Sequence, residues 1–547
     1  MVKLLCFYAL KGAILNIFII KKEVIIMTTK KANKSNWEIP TKPFKPDYNY
    51  RNNALNMDFY ELRMAEGYFK LGLQNVKGVF DIFFRKNPAP KGKVSGYTIA
   101  CGQEQLAKFL QNYHFDEHAL NYLYYKGFDV EFIKYLSTYK WNGTMMAVPE
   151  GTICYPNEPV IRIECDLVGA FLIETYALQT FNLNSLIATK ASHIVRAADG
   201  RDVMEFGGRR AQGEAASLYG ARAAIIAGCS ATANCLAEAV FGPDVPAVGT
   251  MSHAWVESFP TELEAFRAWA KVNPTGVSLL VDTYNALKRG IPNVITLDNE
   301  LQRLYPDNPN LWVKSIRLDS GDLAYQAKKA RKMMDDAGKQ HIKIIASNSL
   351  DEDSIRSLIH EQNAPIDSFG VGENLITSAD CPVLGGVYKL TALNRSNIWK
   401  ISFDDEWTPR MKCSDSLEKA IIPGKKKLYR MYDDEGKAST DIIAMENEVI
   451  EPAKTIKVFT TDLTDPIKEY EITPVDFKEL LVPFIVNGKL VYDFPTVKQI
   501  RDYLKKQFNT AWDSELRSSN PHIHYVDMTE NVAKTRRELY HKLHDEA

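Results

Sequence analysis

The 547-residue sequence has no C-x-x-C pair and no close cluster of cysteines. Its eight cysteines (Cys6, Cys101, Cys154, Cys165, Cys229, Cys235, Cys381 and Cys413) are scattered, which excludes a disulfide or zinc framework. They read as reduced, mostly buried thiols of a cytoplasmic protein. An excess of one charge is missing too: 67 Lys and Arg face 68 Asp and Glu, a net charge of −1. No nucleic acid is therefore expected as a partner, although a local basic pocket is compatible with that balance. The Walker pattern G-x-x-x-x-G-K-[ST] is absent, so any ATP use runs through another kind of site. No apolar run reaches the ~18 uninterrupted residues of a membrane span. The run at 4–20 is broken by Lys11, no A-x-A-like cleavage site follows, and the chain restarts at Met27 with Thr28-Thr29-Lys30-Lys31. Residues 1–26 are read as a leader outside the fold, Met27 is the expected start of translation, and no membrane partner is expected. His114/His118 and His522/His524 lack further ligands nearby, so neither pair is read as a metal site and metal ligands stay unassigned.

What is present is an ordinary globular composition, 45% apolar and 25% charged, over a length that suggests two to four domains at ~150 residues each. Residues 27–190 read as an N-terminal α+β domain, with strands at 79–85, 96–100 and 160–165, helices at 57–70 and 103–112, and one long helix over 169–187. A polar arm at 31–56 precedes them. From 191 to 392 short apolar runs alternate with helical stretches. The runs at 203–206, 245–248, 278–281, 315–318, 343–346 and 368–371 each end in polar or glycine residues. That rhythm predicts βαβ units closing into an α/β barrel or an incomplete barrel, with chemistry at the strand ends. Residues 393–547 form a mixed region, expected to pack on the N-terminal domain, with hairpins around 433–436 and Asn487-Gly488 and two terminal helices.

The strand ends carry the candidate site. Glu205, Arg209 and Arg210 follow one strand, His253 another, Asp282 a third; Arg317 and Asp319 end a fourth, and Gly370, Gly372 and Thr377 follow a later one. Guanidinium groups suit carboxylate or phosphate, glycines let backbone N–H groups approach phosphate, and carboxylates can hold ribose hydroxyls or magnesium. Together they suggest a pocket for a small, phosphorylated, anionic substrate. Taken singly, each has a plainer reading as an ion pair, a turn glycine or a core histidine.

Longer motifs sharpen this. EFGGRRAQG (205–213), LIATKA (186–191), VGTMSHAWV (248–256), LVDTY (280–284), IRLDSGDL (316–323), FGVGENLIT (369–377) and GGVYKL (385–390) occur in order, after Asp58-Phe59-Tyr60, FRKNP (84–88) and PNEP (156–159). The chain from about 50 to 530 resembles the nicotinate phosphoribosyltransferase family, in its bacterial branch. The resemblance implies the type II phosphoribosyltransferase fold, with an irregular seven-stranded α/β barrel, and a head-to-tail homodimer with shared active sites. It implies joining nicotinate to 5-phosphoribosyl 1-pyrophosphate, giving nicotinate mononucleotide for NAD salvage, with ATP as co-substrate and Mg²⁺ as cofactor. In that frame His253 is the phosphorylated histidine. Tyr60, Thr250 and Arg317 match nicotinate contacts, Arg209 and Thr377 lie near the phosphoribosyl group with Gly372, and Asp282 and Asp319 sit at the ribose and pyrophosphate end. Glu205 and Asp282 join His253 as expected catalytic groups, with Asp282 expected to orient the imidazole. Two positions depart from the pattern: Asn285, where the family has Asp, and Ser192-His193, where Ala-Arg is more common. The competing readings are a nicotinamide phosphoribosyltransferase and an inactive sensor of NAD metabolites.

Overall fold

The computed structural model describes residues 37–394, 407–413, 420–461 and 469–545. The leader and Met27 lie outside the described residues. The described residues fall into two compact units, one of 37–55 with 113–140 and one of 56–112 with those from 141 onward. In the first, Asp116 and Asp129 cap the helices Glu117–Tyr125 and Val130–Thr138 by accepting backbone N–H groups of their first turns. The arm lies along the first of these helices. Trp37 donates to Asn121, and the His118 ring stands between Phe44 and Tyr50 at 5.0 and 4.6 Å. Aromatic packing accounts for His118.

The second unit holds the three larger sheets. The N-terminal strands are β1 (Lys77–Phe84), β2 (Thr98–Ile99), β3 (Thr144–Ala147), β4 (Ile153–Cys154) and β5 (Ile161–Asp166). Next come β6 (Asp202–Glu205), β7 (Ala231–Thr232), β8 (Ser278–Leu280), β9 (Ser315–Leu318), β10 (Lys343–Ser347) and β11 (Ser368–Val371). Beyond them are β12 (Gly386–Asn394), β13 (Trp407–Pro409), β14 (Lys426–Tyr432), β15 (Ala438–Met445), β16 (Ile456–Thr460), β17 (Glu469–Ile472), β18 (Asp476–Glu479), β19 (Val482–Val486), β20 (Lys489–Leu490) and β21 (Tyr525–Thr529).

The first sheet is antiparallel, in the order β13-β12-β1-β5-β3-β19-β20. It draws four strands from beyond the barrel, and the helix Glu174–Ala197 runs through residue 190 as β12 runs through 392. The boundaries drawn from sequence at 190 and 392 therefore fall inside elements, because strand pairing over hundreds of residues leaves no local signature. β1 is buried on both faces. Phe80 stacks on Tyr388 at 4.8 Å on one side, and Asp81 meets the Lys426 ammonium at 2.7 Å on the other. The single helix expected over 169–187 is two, Leu167–Phe171 and Glu174–Ala197.

The parallel sheet has the order β7-β6-β11-β10-β9-β8. β9 and β11 coincide with the expected runs, whereas β7 was not anticipated. The run at 245–248 forms no ladder, only one parallel bridge from Ala247 to Thr232. Pro246 offers a carbonyl to Thr232 but has no N–H to return, and Gly249 ends the run. The seventh strand of the expected barrel is thus reduced to a single bridge. Among the described residues no pairing joins 246–248 to β8, so the curled sheet has a seam there.

The last sheet, β17-β16-β21-β15-β14-β18, encloses a core of Tyr429, Met431, Ile442, Ala444, Ile450 and Val458. Beside it, buried Arg430 donates to both oxygens of Asp441 and to the Ile153 carbonyl. His524 stacks on Tyr155 at 3.8 Å and bonds Glu515, a packing role.

Candidate active site

The site grows from the carboxyl ends of the parallel strands. At the end of β6 the chain turns through Phe206-Gly207, and Glu205 is wholly buried beneath that turn. One of its carboxylate oxygens accepts the Gly207 N–H, and the other accepts the Thr232 hydroxyl at 2.6 Å. Burial raises its pKa. Glu205 was expected among the catalytic groups; here both of its oxygens brace the turn. Gly207 is required by contact: a Cβ there would lie 2.6 Å from the Gly372 carbonyl oxygen and from Ile376 Cβ. The close approach brings the 207–210 turn against the 372–377 loop. Arg209 and Arg210 leave this turn exposed, with Arg210 Nε 3.6 Å from a Glu373 oxygen. The Thr377 hydroxyl donates to the Glu373 carbonyl at 2.7 Å.

Arg317, near the end of β9, is half-buried. Its guanidinium donates to the Met251 carbonyl at 3.3 Å, and its buried Nε has no hydrogen-bond partner. Burial pulls its pKa below the usual value against the opposing pull of Asp319 and Asp282, and the nearby Arg209 charge adds to the lowering. Two guanidinium groups and two carboxylates thus act on one region. Thr250 is on the same loop as Met251, and its hydroxyl donates to that same Met251 carbonyl at 3.3 Å.

His253 opens the short helix His253–Glu257. Its Nδ1 is 3.1 Å from the Thr283 hydroxyl, and its Nε2 is 3.9 Å from Asp319 Oδ2. Asp282 was expected to hold this ring and does not. Its Oδ2 accepts the Asp319 N–H at 2.9 Å and the Ser320 hydroxyl at 2.6 Å, while its buried Oδ1 has no partner. Adjacent residues leaving a strand project to opposite sides, so the residue after Asp282 reaches the imidazole. Ser347, on β10, donates to Asp319 Oδ1. Thr283, Ser320 and Ser347 escaped sequence reasoning because hydroxyls are common; their only signal was membership of, or proximity to, the strand-end clusters. Asn285 caps the next turn by accepting the Lys288 N–H at 2.8 Å. His193 is half-buried on the long helix and bonded to Ser95 at 2.8 Å, with desolvation, then Lys190 and Arg196, pushing its pKa down to about 4.

Among the described residues no three or more His, Cys, Asp or Glu side chains are arranged to hold a metal. The orphaned Asp282 Oδ1 and the Asp319 oxygen facing His253 nevertheless fit a magnesium ion that brings its own phosphate ligands, since such ions take one or two carboxylates.

Tyr60 does not join this cluster. It stands half-exposed on the helix Phe59–Lys70, bonded to Glu174, and its pKa is raised by burial and then by Glu174, Glu61 and Asp58. Glu174 opens the long helix, whereas the Ile376 loop meets that helix through Gly220 at Ile187, about 20 Å further along. Beside Tyr60, Glu61 is fully buried, accepts the Thr175 hydroxyl at 2.6 Å through Oε1, and has no partner at Oε2. Burial, with Glu174 adding to it, raises its pKa from 4.5 to about 7. Between those values the folded state keeps a proton that the unfolded chain releases, so this group lowers stability as pH rises from 4.5 to 7. Glu61→Gln is therefore expected to match the parent's unfolding free energy at pH 4.5 and exceed it at pH 8 by on the order of 1–2 kcal/mol after solvent screening, with a correspondingly higher Tm. Equal Tm values at pH 8 would show that Glu61 ionises normally.

With this geometry in hand, comparison with known proteins is specific. Three family profiles match: the nicotinate phosphoribosyltransferase (NAPRTase) N-terminal domain over 55–182, the NAPRTase family over 202–446 and the nicotinate phosphoribosyltransferase C-terminal domain over 425–536. A nicotinate phosphoribosyltransferase of Bacillus subtilis is 36% identical over 501 residues, covering 91% of this chain and 97% of that protein. One of Dictyostelium discoideum is 30% identical over 88% of this chain and 87% of its own. The crystal structure of human nicotinic acid phosphoribosyltransferase superposes with a TM-score of 0.75 at 24% identity, covering 88% of this chain and 99% of that one. No helix of the described residues is long and apolar enough to cross a membrane. Profiles, curated relatives and fold agree, and the chain belongs to the nicotinate phosphoribosyltransferase family.

Proposed function

We propose that this chain joins nicotinate to 5-phosphoribosyl 1-pyrophosphate in the cytoplasm, releasing pyrophosphate and nicotinate mononucleotide for NAD salvage. ATP hydrolysis is coupled to the synthesis through His253, which makes the enzyme a C–N ligase. The observation that carries the reading is the half-buried Arg317, with an unpartnered Nε and Arg209 within electrostatic range, opposite the carboxylates of Asp282 and Asp319. The guanidinium pairs with the nicotinate carboxylate. The pyridine nitrogen already has its lone pair, so the attack on the anomeric carbon needs no protein base. Charge develops on the departing pyrophosphate, which Arg209 and the backbone around Gly372 would stabilise. Asp282 and Asp319 would hold the magnesium ion, whose chemistry is to neutralise the leaving group. Tyr60 serves the site of a partner subunit in a homodimer, which accounts for its distance from the cluster within one chain.

The test is incubation of the protein with nicotinate, phosphoribosyl pyrophosphate and Mg²⁺, with and without ATP, followed by mass analysis. Nicotinate mononucleotide is expected in both, with faster and more complete conversion when ATP is present. Preference for nicotinamide in competition would move the assignment to the amide-specific reaction, and no turnover at all would leave a sensor.

A further inference from the structure

We propose that Thr283 is the positioning residue for His253, fixing the imidazole across the seam of the barrel so that Nε2 is the nitrogen presented for phosphoryl transfer. The inference rests on the proposed phosphorylation of His253 and deepens it.

Three observations converge. The Thr283 hydroxyl is 3.1 Å from His253 Nδ1, and Nε2 instead faces Asp319 at 3.9 Å. The two residues belong to loops following the 246–248 segment and β8, which share no pairing, so this side-chain contact links loops that no ladder holds in register. Asp282, the adjacent carboxylate, is withdrawn by its bonds to Asp319 and Ser320.

The hydroxyl oxygen can accept from Nδ1–H, as a carboxylate would, and so leaves the proton off Nε2. In the transferring form Thr283 accepts from Nδ1–H and the Nε2 lone pair is free. That pair forms the N–P bond to the γ-phosphorus of ATP, the bond from that phosphorus to the bridging oxygen breaks, and its electrons leave on ADP. The Nδ1 proton stays on the ring against the threonine oxygen. On the opposite side Asp319 is itself held by Ser347 and by Asp282, so the ring is clamped between two neighbouring loops.

The experiment compares Thr283→Val, which keeps shape and loses the hydroxyl, with Thr283→Ser, which keeps the hydroxyl. Each is assayed for steady-state ATP hydrolysis and for the rate of ³²P-phosphoenzyme formation from ATP. Thr283→Val is expected to lower both rates about tenfold, the scale of one lost hydrogen bond, with little change in the KM for ATP. Thr283→Ser is expected to recover to within about twofold of the parent, a rescue that a packing role for the methyl group would not produce. Thr283→Ala carries the same expectation as Val should Val shift the Tm. Nitrogen–phosphorus coupling in the parent phosphoenzyme is expected at Nε2. Parent-like rates in the hydroxyl-free variants, no rescue by serine, or phosphate on Nδ1 would each overturn the inference alone. A parent protein that forms no phosphohistidine would overturn it together with the ATP-coupled reading.

Discussion

His253→Ala is expected to abolish ATP hydrolysis and the acid-labile phosphoenzyme, yet to retain a slow, ATP-independent synthesis of nicotinate mononucleotide. The separation follows from chemistry. Glycosyl transfer uses the pyridine nitrogen as nucleophile and the anion-binding groups as its environment, and neither needs an imidazole. Phosphoryl transfer to the protein needs a nucleophilic nitrogen, and His253 is the ring that stands beside Asp319, 41% exposed. A histidine that merely packs would give the opposite pattern, an unstable protein whose folded fraction still couples ATP. Exposure already disfavours that reading, because removing a partly solvated ring leaves little cavity. The measurement is mass spectrometry of protein incubated with ATP, alongside product formation with and without it. Phosphate on another residue, or undiminished ATP hydrolysis in the variant, would refute the assignment.

Arg317→Ala is expected to raise the nicotinate KM at least ~30-fold, because truncating one member of a desolvated charge pair costs about 2–5 kcal/mol. The structure strengthens the expectation. The guanidinium is desolvated enough for its pKa to fall, its Nε has no acceptor, and its hydrogen bond to the Met251 carbonyl is a long 3.3 Å. A cation held this way has donors to spare for a planar anion. Arg317→Lys is expected to recover little, since an ammonium cannot present two parallel N–H groups. The KM for phosphoribosyl pyrophosphate should move far less. Equal increases for both substrates would mean that Arg317 shapes the whole pocket, and an unchanged nicotinate KM would place the carboxylate at another residue.

Much of this was legible in the chain. Buried parallel strands appear as short apolar runs ended by polar residues, and the runs at 315–318 and 368–371 match β9 and β11. Asn487-Gly488 marked the turn joining β19 to β20, and both residues adopt positive φ there. The run at 245–248 misled, because the same apolar pattern contains Pro246 and its pairing collapses to one bridge. Nothing in the sequence indicated that β19 would add to β3, more than 300 residues earlier.

The sequence by itself determined which charged groups arrive at the carboxyl ends of the strands, since strand period and loop composition are local properties. Only the tertiary structure decided what each group does there. Glu205 and Asp282 carry the same chemistry as Asp319, and no pattern separates them. Glu205 turns inward because the Gly207 and Thr232 donors lie behind it. Asp282 is taken by the neighbouring loop, and Thr283, one residue on, meets His253. Hydrogen bonds select partners within ångströms and a narrow range of angles, and those distances are set by how the loops cross in space.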